Sequence, residues 1–163
     1  MYMAMIIKGK VWKFGDDIST DYLSPGFVMD EPWEERKKKI LHIHDAFARS
    51  WEPGDIIVAG QNFGCGSSRE SAPGNLKRMG IGCVVAESFA RIFFRNSMAI
   101  AFPVTICKGV SKAFTEGDIL ELDFEKSIVR NHTQGKELEG TRLHPGLLQI
   151  VKAGGILEAI KCE

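Results

Sequence analysis

Ser67, Ser68 and Arg69 stand side by side in the run Asn62-Phe63-Gly64-Cys65-Gly66-Ser67-Ser68-Arg69-Glu70-Ser71-Ala72-Pro73. These residue types in this order suit the capture of a carboxylate. A planar guanidinium grips a carboxylate through two parallel hydrogen bonds. Gly64 and Gly66 allow close backbone approach and positive φ. A serine gives up its proton reluctantly, so using it as a base requires a nearby cation and backbone amides that stabilise the alkoxide. Two other readings fail on spacing. The nucleophile elbow needs a glycine two residues after its serine, and Cys65-Gly66-Ser67-Ser68-Arg69 has none there. A phosphate loop needs lysine and then Ser or Thr after its glycines, which is also missing. Nothing positively indicates a Ser-His-Asp triad.

The neighbouring residues say what must hold this stretch. Residues 55–60 are apolar and read as a buried strand, and Leu76, Met79 and Ile81 outline a short amphipathic helix ended by Gly80. The serines are therefore expected on a strand-to-helix turn, where the first helical amides lack internal partners and favour an anion. Residues 81–86 read as a second strand. A helix capped by Ser88 then runs to about Asn96, with Phe89, Ile92 and Phe93 on one face and Arg91 and Arg95 on another. These arginines are solvent-facing, structural, or bonded behind the site. A third strand is expected over residues 101–106.

Upstream, residues 8–14 read as an opening strand, and residues 15–21 gather three acids and two hydroxyls in a loop that turn chemistry accounts for. Residues 24–32 form a loop around the apolar knot Phe27-Val28-Met29. That knot either anchors the loop or faces a ligand, favouring an alkyl group and penalising a buried charge. Residues 34–48 suggest one or two helical segments with a solvated basic run, Arg36 to Lys39. His42 and His44 are two apart and fall on different sides of a helix, which disfavours a shared metal. Residues 118–124 and 127–129 alternate as an antiparallel pair, and a turn with an exposed His132 follows. A final short helix containing Leu147, Leu148, Ile150 and Val151 stops at Gly154-Gly155. There is no repeat and no linker, so residues 1–163 read as one mixed α/β domain.

Lys plus Arg equals Asp plus Glu at 21 each, so no net field recruits nucleic acid or an anionic membrane. The content of 44% apolar and 26% charged residues fits a soluble domain with a real core. No apolar run approaches the ~20 residues that span a bilayer. Residues 1–5 lack the regions of a signal peptide, which points to the cytoplasm. Cys65, Cys83, Cys107 and Cys162 are scattered without Cys-x-x-Cys spacing and read as reduced thiols. No metal ligands are expected on this chain, and any iron–sulfur cluster would be held by another polypeptide.

The stretch from Asn62 to Glu70, followed by Ser88-Phe89-Ala90-Arg91-Ile92-Phe93-Phe94-Arg95-Asn96, resembles the small subunits of the aconitase superfamily. Within it the sequence is most similar to the family of 3-isopropylmalate dehydratase small subunits and their homoaconitase and 2,3-dimethylmalate dehydratase relatives. The match covers most of the chain. The resemblance implies an α/β fold, a single swivelling β/β/α domain whose active-site turn docks over a cluster-bearing domain. It implies a hydro-lyase, active only with a large subunit, that dehydrates and rehydrates a 2-hydroxy dicarboxylate in leucine biosynthesis. Ser67 would be the base, with Ser68 and Arg69 on the substrate carboxylate. Asp21 would be the acidic partner orienting the serine turn or its arginine. Phe27, Val28 and Met29 would read the substituent that distinguishes malate-type substrates. The [4Fe–4S] cluster would belong to the large subunit. A reading of a different class is a non-catalytic carboxylate- or RNA-binding module; neutral charge and the lack of a basic–aromatic stripe weaken its RNA version.

Overall fold

The structure is a computed structural model and describes residues 5–161. In chain order its elements are β1 (Ile6–Lys13), α1 (Thr20–Leu23), a 3-10 turn (Gly26–Val28), α2 (Trp33–Arg36), α3 (Asp45–Ser50) and β2 (Ile56–Ala59). Then come α4 (Ser71–Met79), β3 (Cys83–Ala86), α5 (Arg91–Ala99), β4 (Val104–Ile106), α6 (Val110–Ala113) and β5 (Ile119–Asp123). The chain continues through β6 (Ile128–Asn131), β7 (Lys136–Glu139), α7 (Pro145–Ala153) and α8 (Ile156–Lys161).

All seven strands form one mixed sheet, ordered β4-β3-β2-β1-β5-β6-β7. Strand β1 belongs to both halves. Its residues Ile6 to Lys10 pair antiparallel with β5, and Val11 to Lys13 pair parallel with β2. Strands β2, β3 and β4 continue the parallel side. Every residue of β2 and β3 is buried, as expected of parallel strands covered on both faces. Strand β5 alternates buried and half-buried residues, the mark of a sheet wet on one side. The main core gathers Val11, Trp12, Ile56 to Ala59, Cys83 to Ala86, Phe93 and Val104.

Several expectations hold at the level of the element. Helix α4 stops at Gly80, φ 90°, whose N–H reaches Leu76 O and Lys77 O. Helix α7 stops at Gly154, φ 98°, in the same way. Residues 34–48 supply two short helices, α2 and α3. Others are corrected. Ser88 does not cap α5, which starts at Arg91 behind Ala90. The Ser88 hydroxyl instead accepts from Asn62 N and donates to Gln61 Oε1, so it is held by side-chain and backbone groups of the loop after β2. Ile92 is 49% exposed, so the buried face of α5 is carried by Phe93 and Met98. Phe89 lies ahead of the helix and stacks on Phe93 at 6.0 Å. Helix α7 is not the final one, because Gly154 and Gly155 turn the chain into α8. Strand β7 was not expected: its side chains are mostly exposed and charged, so it carries almost no apolar period. Cys162 and residues 1–4 lie outside the described residues. No helix among the described residues is long and apolar enough to cross a membrane.

Candidate active site

Three loops leave the C-terminal ends of the adjacent parallel strands β1, β2 and β3, where ligands bind in open α/β sheets. The middle loop, residues 60–70, lies between the other two. On one side Asp17 N donates to Gln61 O, Gly64 N to Ile18 O, and Thr20 N to Cys65 O, each at 2.8 Å. On the other, Phe63 N donates to Ser88 O and Ala90 N to Phe63 O. Short parallel bridges, Ser19 with Cys65 and Phe63 with Phe89, extend the sheet outward at this end. The serines do lie on the connection from strand to helix, but ahead of the helix and not within its first turn. Strand β2 ends at Ala59, α4 begins at Ser71, and Ser67 lies in the long connection ahead of the helix. Glycine is required twice in that connection. Gly64 has φ 85° and a Cβ there would enter the Phe93 ring, whereas Gly66 has φ 102° and its Cβ would lie 3.1 Å from Ser19 Oγ.

Arg69 is the hub of the site. Its Nε donates to Ser67 Oγ at 3.0 Å, its Nη1 to Ser24 O at 2.5 Å, and its Nη2 lies 3.3 Å from Asp21 Oδ1. The expected partners Ser67, Arg69 and Asp21 are thus brought together. Ser67 and Ser68 are exposed and Arg69 is half-buried, so a companion surface can cover them. Asp21 lies in the first turn of α1, whose N-cap Ser19 accepts from Asp21 N. This helix replaces the expected loop.

The substrate-reading loop divides. Val28 is 2% exposed and anchors the 3-10 turn, which removes it from the residues able to touch a ligand at the surface. Phe27 and Met29 are 68% and 59% exposed, and Phe27 packs edge-on against His42. Gly26 borders the arginine: a Cβ on it would be 3.8 Å from Arg69 Nη1. Sequence reasoning missed Ser24 and Asn75. Ser24 Oγ meets Ser71 Oγ at 2.7 Å and Asn75 Nδ2 donates to Leu23 O at 3.0 Å, tying the loop to α4. Lone polar residues of this kind carry no local signal. Arg91 and Arg95 are exposed on α5. A hollow of about 510 Å³ lined by Lys13, Gly15, Ile18, His44 and Arg49 includes none of the serine-site groups; chemistry, not concavity, marks the site.

The surroundings of the three described thiols disfavour the thiolate. Burial pushes the Cys107 thiol up to about 11, helped by the Glu87 charge, and pushes Cys83 far up. Burial and the Asp17 and Asp21 charges also raise Cys65. Among the described residues no three His, Cys, Asp or Glu side chains gather as a metal would need.

Residues 26–107 match the model of the aconitase C-terminal domain. The isopropylmalate/citramalate isomerase small subunit of Methanocaldococcus jannaschii is 45% identical over 161 residues, which is 98% of this chain and 96% of that one. The 3-isopropylmalate dehydratase small subunit 1 of Thermotoga maritima is 46% identical over 159 residues, 96% and 95% of the two chains. The crystal structure of 3-isopropylmalate dehydratase from Methanocaldococcus jannaschii shares the fold with a TM-score of 0.87 at 36% identity, covering 96% of this chain and 94% of the other. The mixed sheet with its helices is thus the α/β swivel fold of that domain, and the chain belongs to the aconitase family as a hydro-lyase small subunit of the 3-isopropylmalate dehydratase type.

Proposed function

We propose that Ser67 is the base of a dehydration and rehydration of isopropylmalate, a reaction of leucine biosynthesis, and that residues 1–163 act as one swivelling unit over a large subunit. The observation that carries this reading is the Arg69 Nε–H pointed at Ser67 Oγ at 3.0 Å in an exposed turn. A guanidinium donating to that oxygen favours the alkoxide over the hydroxyl, so Ser67 can take the proton from the carbon beside a substrate carboxylate. The N–H groups of Arg69 that Ser67, Ser24 O and Asp21 leave over, one on each terminal nitrogen, hold that carboxylate with the Ser68 hydroxyl. Asp21 orients the guanidinium through its outer nitrogen. Phe27 and Met29 offer apolar surface to an alkyl substituent. Arg36, the cation nearest this loop in sequence, lies over the Trp33 ring instead, which suits a substrate with no third carboxylate.

The large subunit would hold the [4Fe–4S] cluster, a reading supported by the scatter of the cysteines among the described residues. When bound, that cluster supplies a Lewis acid for the departing hydroxyl. Assembly would take place in the cytoplasm. The similarity to an isopropylmalate/citramalate isomerase subunit favours citramalate as a second substrate.

The test is turnover by the chain reconstituted with its large subunit, on isopropylmalate, citramalate, dimethylmalate and homocitrate. Ser67→Ala is expected to lower kcat on the best substrate by roughly 10²- to 10⁴-fold. Normal turnover by a folded, assembled Ser67→Ala enzyme would refute the base assignment. A clear preference for homocitrate would refute the apolar reading of the loop.

A further inference from the structure

We infer that Thr20 is a positioning residue for Ser67, a role that rests on reading Ser67 as the base. Thr20 is 1% exposed, yet both of its polar hydrogens leave its own helix. Its N–H goes to Cys65 O at 2.8 Å and its hydroxyl to Ser67 O at 3.0 Å. The two bonds bracket Gly66, the residue whose φ of 102° sets the direction of the chain into Ser67. Fixing the carbonyls on either side of a glycine removes the torsional freedom that glycine would otherwise bring to the turn. Ser67 O also accepts Arg69 N at 2.9 Å, so both of its lone-pair directions are used.

The side-chain oxygens of Thr20 and Ser67 are 3.4 Å apart. A threonine hydroxyl has one proton, and here it is directed at Ser67 O. With that proton on Ser67 O, Thr20 presents a lone pair toward Ser67 Oγ and adds no donor there. Stabilising the alkoxide falls to Arg69 Nε, and Thr20 acts by aiming the oxygen at it. The fit is close: a Cβ on Gly66 would come within 3.2 Å of Thr20 Oγ1.

The test compares Thr20→Val, which keeps shape and removes the hydroxyl, with Thr20→Ser, which keeps the hydroxyl. Both are assayed in the reconstituted enzyme on isopropylmalate. Thr20→Val is expected to lower kcat by roughly 10- to 100-fold, since a misplaced reacting group costs about that much. KM should stay within about twofold, because the carboxylate-binding groups are untouched. Thr20→Ser should recover most of the loss. In a crystal structure of the Thr20→Val chain, Ser67 Oγ should have left Arg69 Nε. A Thr20→Val enzyme with wild-type kcat, while Ser67→Ala is inactive, overturns the role of Thr20 and leaves the base intact. Full activity of Ser67→Ala removes the base itself. Equal losses in Thr20→Val and Thr20→Ser, or a Thr20→Val chain that does not fold, also overturn the proposal, since a purely structural threonine would then account for the result.

Discussion

Arg69 reaches three acceptors of its own chain through three different nitrogens, and the planar fork of a guanidinium is what makes this feasible. The pairing with Asp21 contributes little to stability, because Asp21 is 69% exposed and such pairs are worth about 0–1 kcal/mol. Its value is orientation. Lysine concentrates its donors on one atom and cannot reach Ser67 Oγ, Ser24 O and Asp21 together. Arg69→Lys should therefore leave the fold intact and weaken the site. Losing one hydrogen bond to a charged group costs about 1.5–3 kcal/mol, which predicts a roughly 10- to 100-fold fall in kcat/KM. Steady-state kinetics of the reconstituted variant on isopropylmalate decide the point. A kcat/KM within about twofold of wild type would mean that the fork is not what the site uses.

At the scale of elements, the site depends on a loop being threaded between its neighbours, and Gly64 is the tightest point of that threading. It combines φ 85° with direct contact against Phe93, which itself packs on Phe63 and Phe89. Gly64→Ala adds left-handed strain of about 1–2 kcal/mol and overpacking of about 1–3 kcal/mol. For a chain of this size the two should lower Tm by roughly 5–15 °C. Thermal unfolding followed by circular dichroism measures this, and an unchanged Tm would show that the loop yields freely.

The same segment shows what could be read from the sequence. The continuous apolar runs β2 and β3, the alternation of β5, and helices ending on glycine, such as α4 and α7, were legible because local composition and spacing decide them. Ser67, Ser68 and Arg69 could be singled out because their types suit carboxylate chemistry. The rest was set by tertiary pairing. Ser88 has the chemistry of a cap, but Asn62 N and Gln61 Oε1 engage its hydroxyl first. Strand β7 exists because β6 offers an edge, and its own residues, Lys136-Glu137-Leu138-Glu139, carry no strand signal. Val28 could not be told from Phe27 and Met29, because which member of an apolar triplet turns inward depends on the 3-10 turn that holds it.

For the whole molecule, β1 joins a parallel half to an antiparallel half, and each half is fastened by a carboxylate with several donors. Beyond β3, Glu87 accepts from Gly109 N, Ser111 N and Ser111 Oγ. Ahead of β5, Asp118 accepts from Thr115 N, Asn131 Nδ2 and Gln134 Nε2. Burial alone would push both carboxyls up, but these bonds outweigh it. They hold Glu87 below its ordinary value of 4.5 and Asp118 below 3.8. A group whose folded value is depressed stabilises the fold fully above its unfolded value and loses that contribution as pH falls through the folded one. Tm of the isolated chain should therefore be nearly flat from about pH 7 to about pH 5, then fall as pH drops through 4.5 and below 3.8. The sharing of β1 between halves predicts one cooperative transition instead of two. Glu87→Gln keeps an acceptor but not the charge, so it should have a lower Tm at neutral pH and a shallower acid slope. Circular dichroism melts of both proteins across this range provide the comparison. Parallel curves for wild type and Glu87→Gln would show that Glu87 does not link the fold to acid, and two separate transitions would show that β1 does not couple the halves.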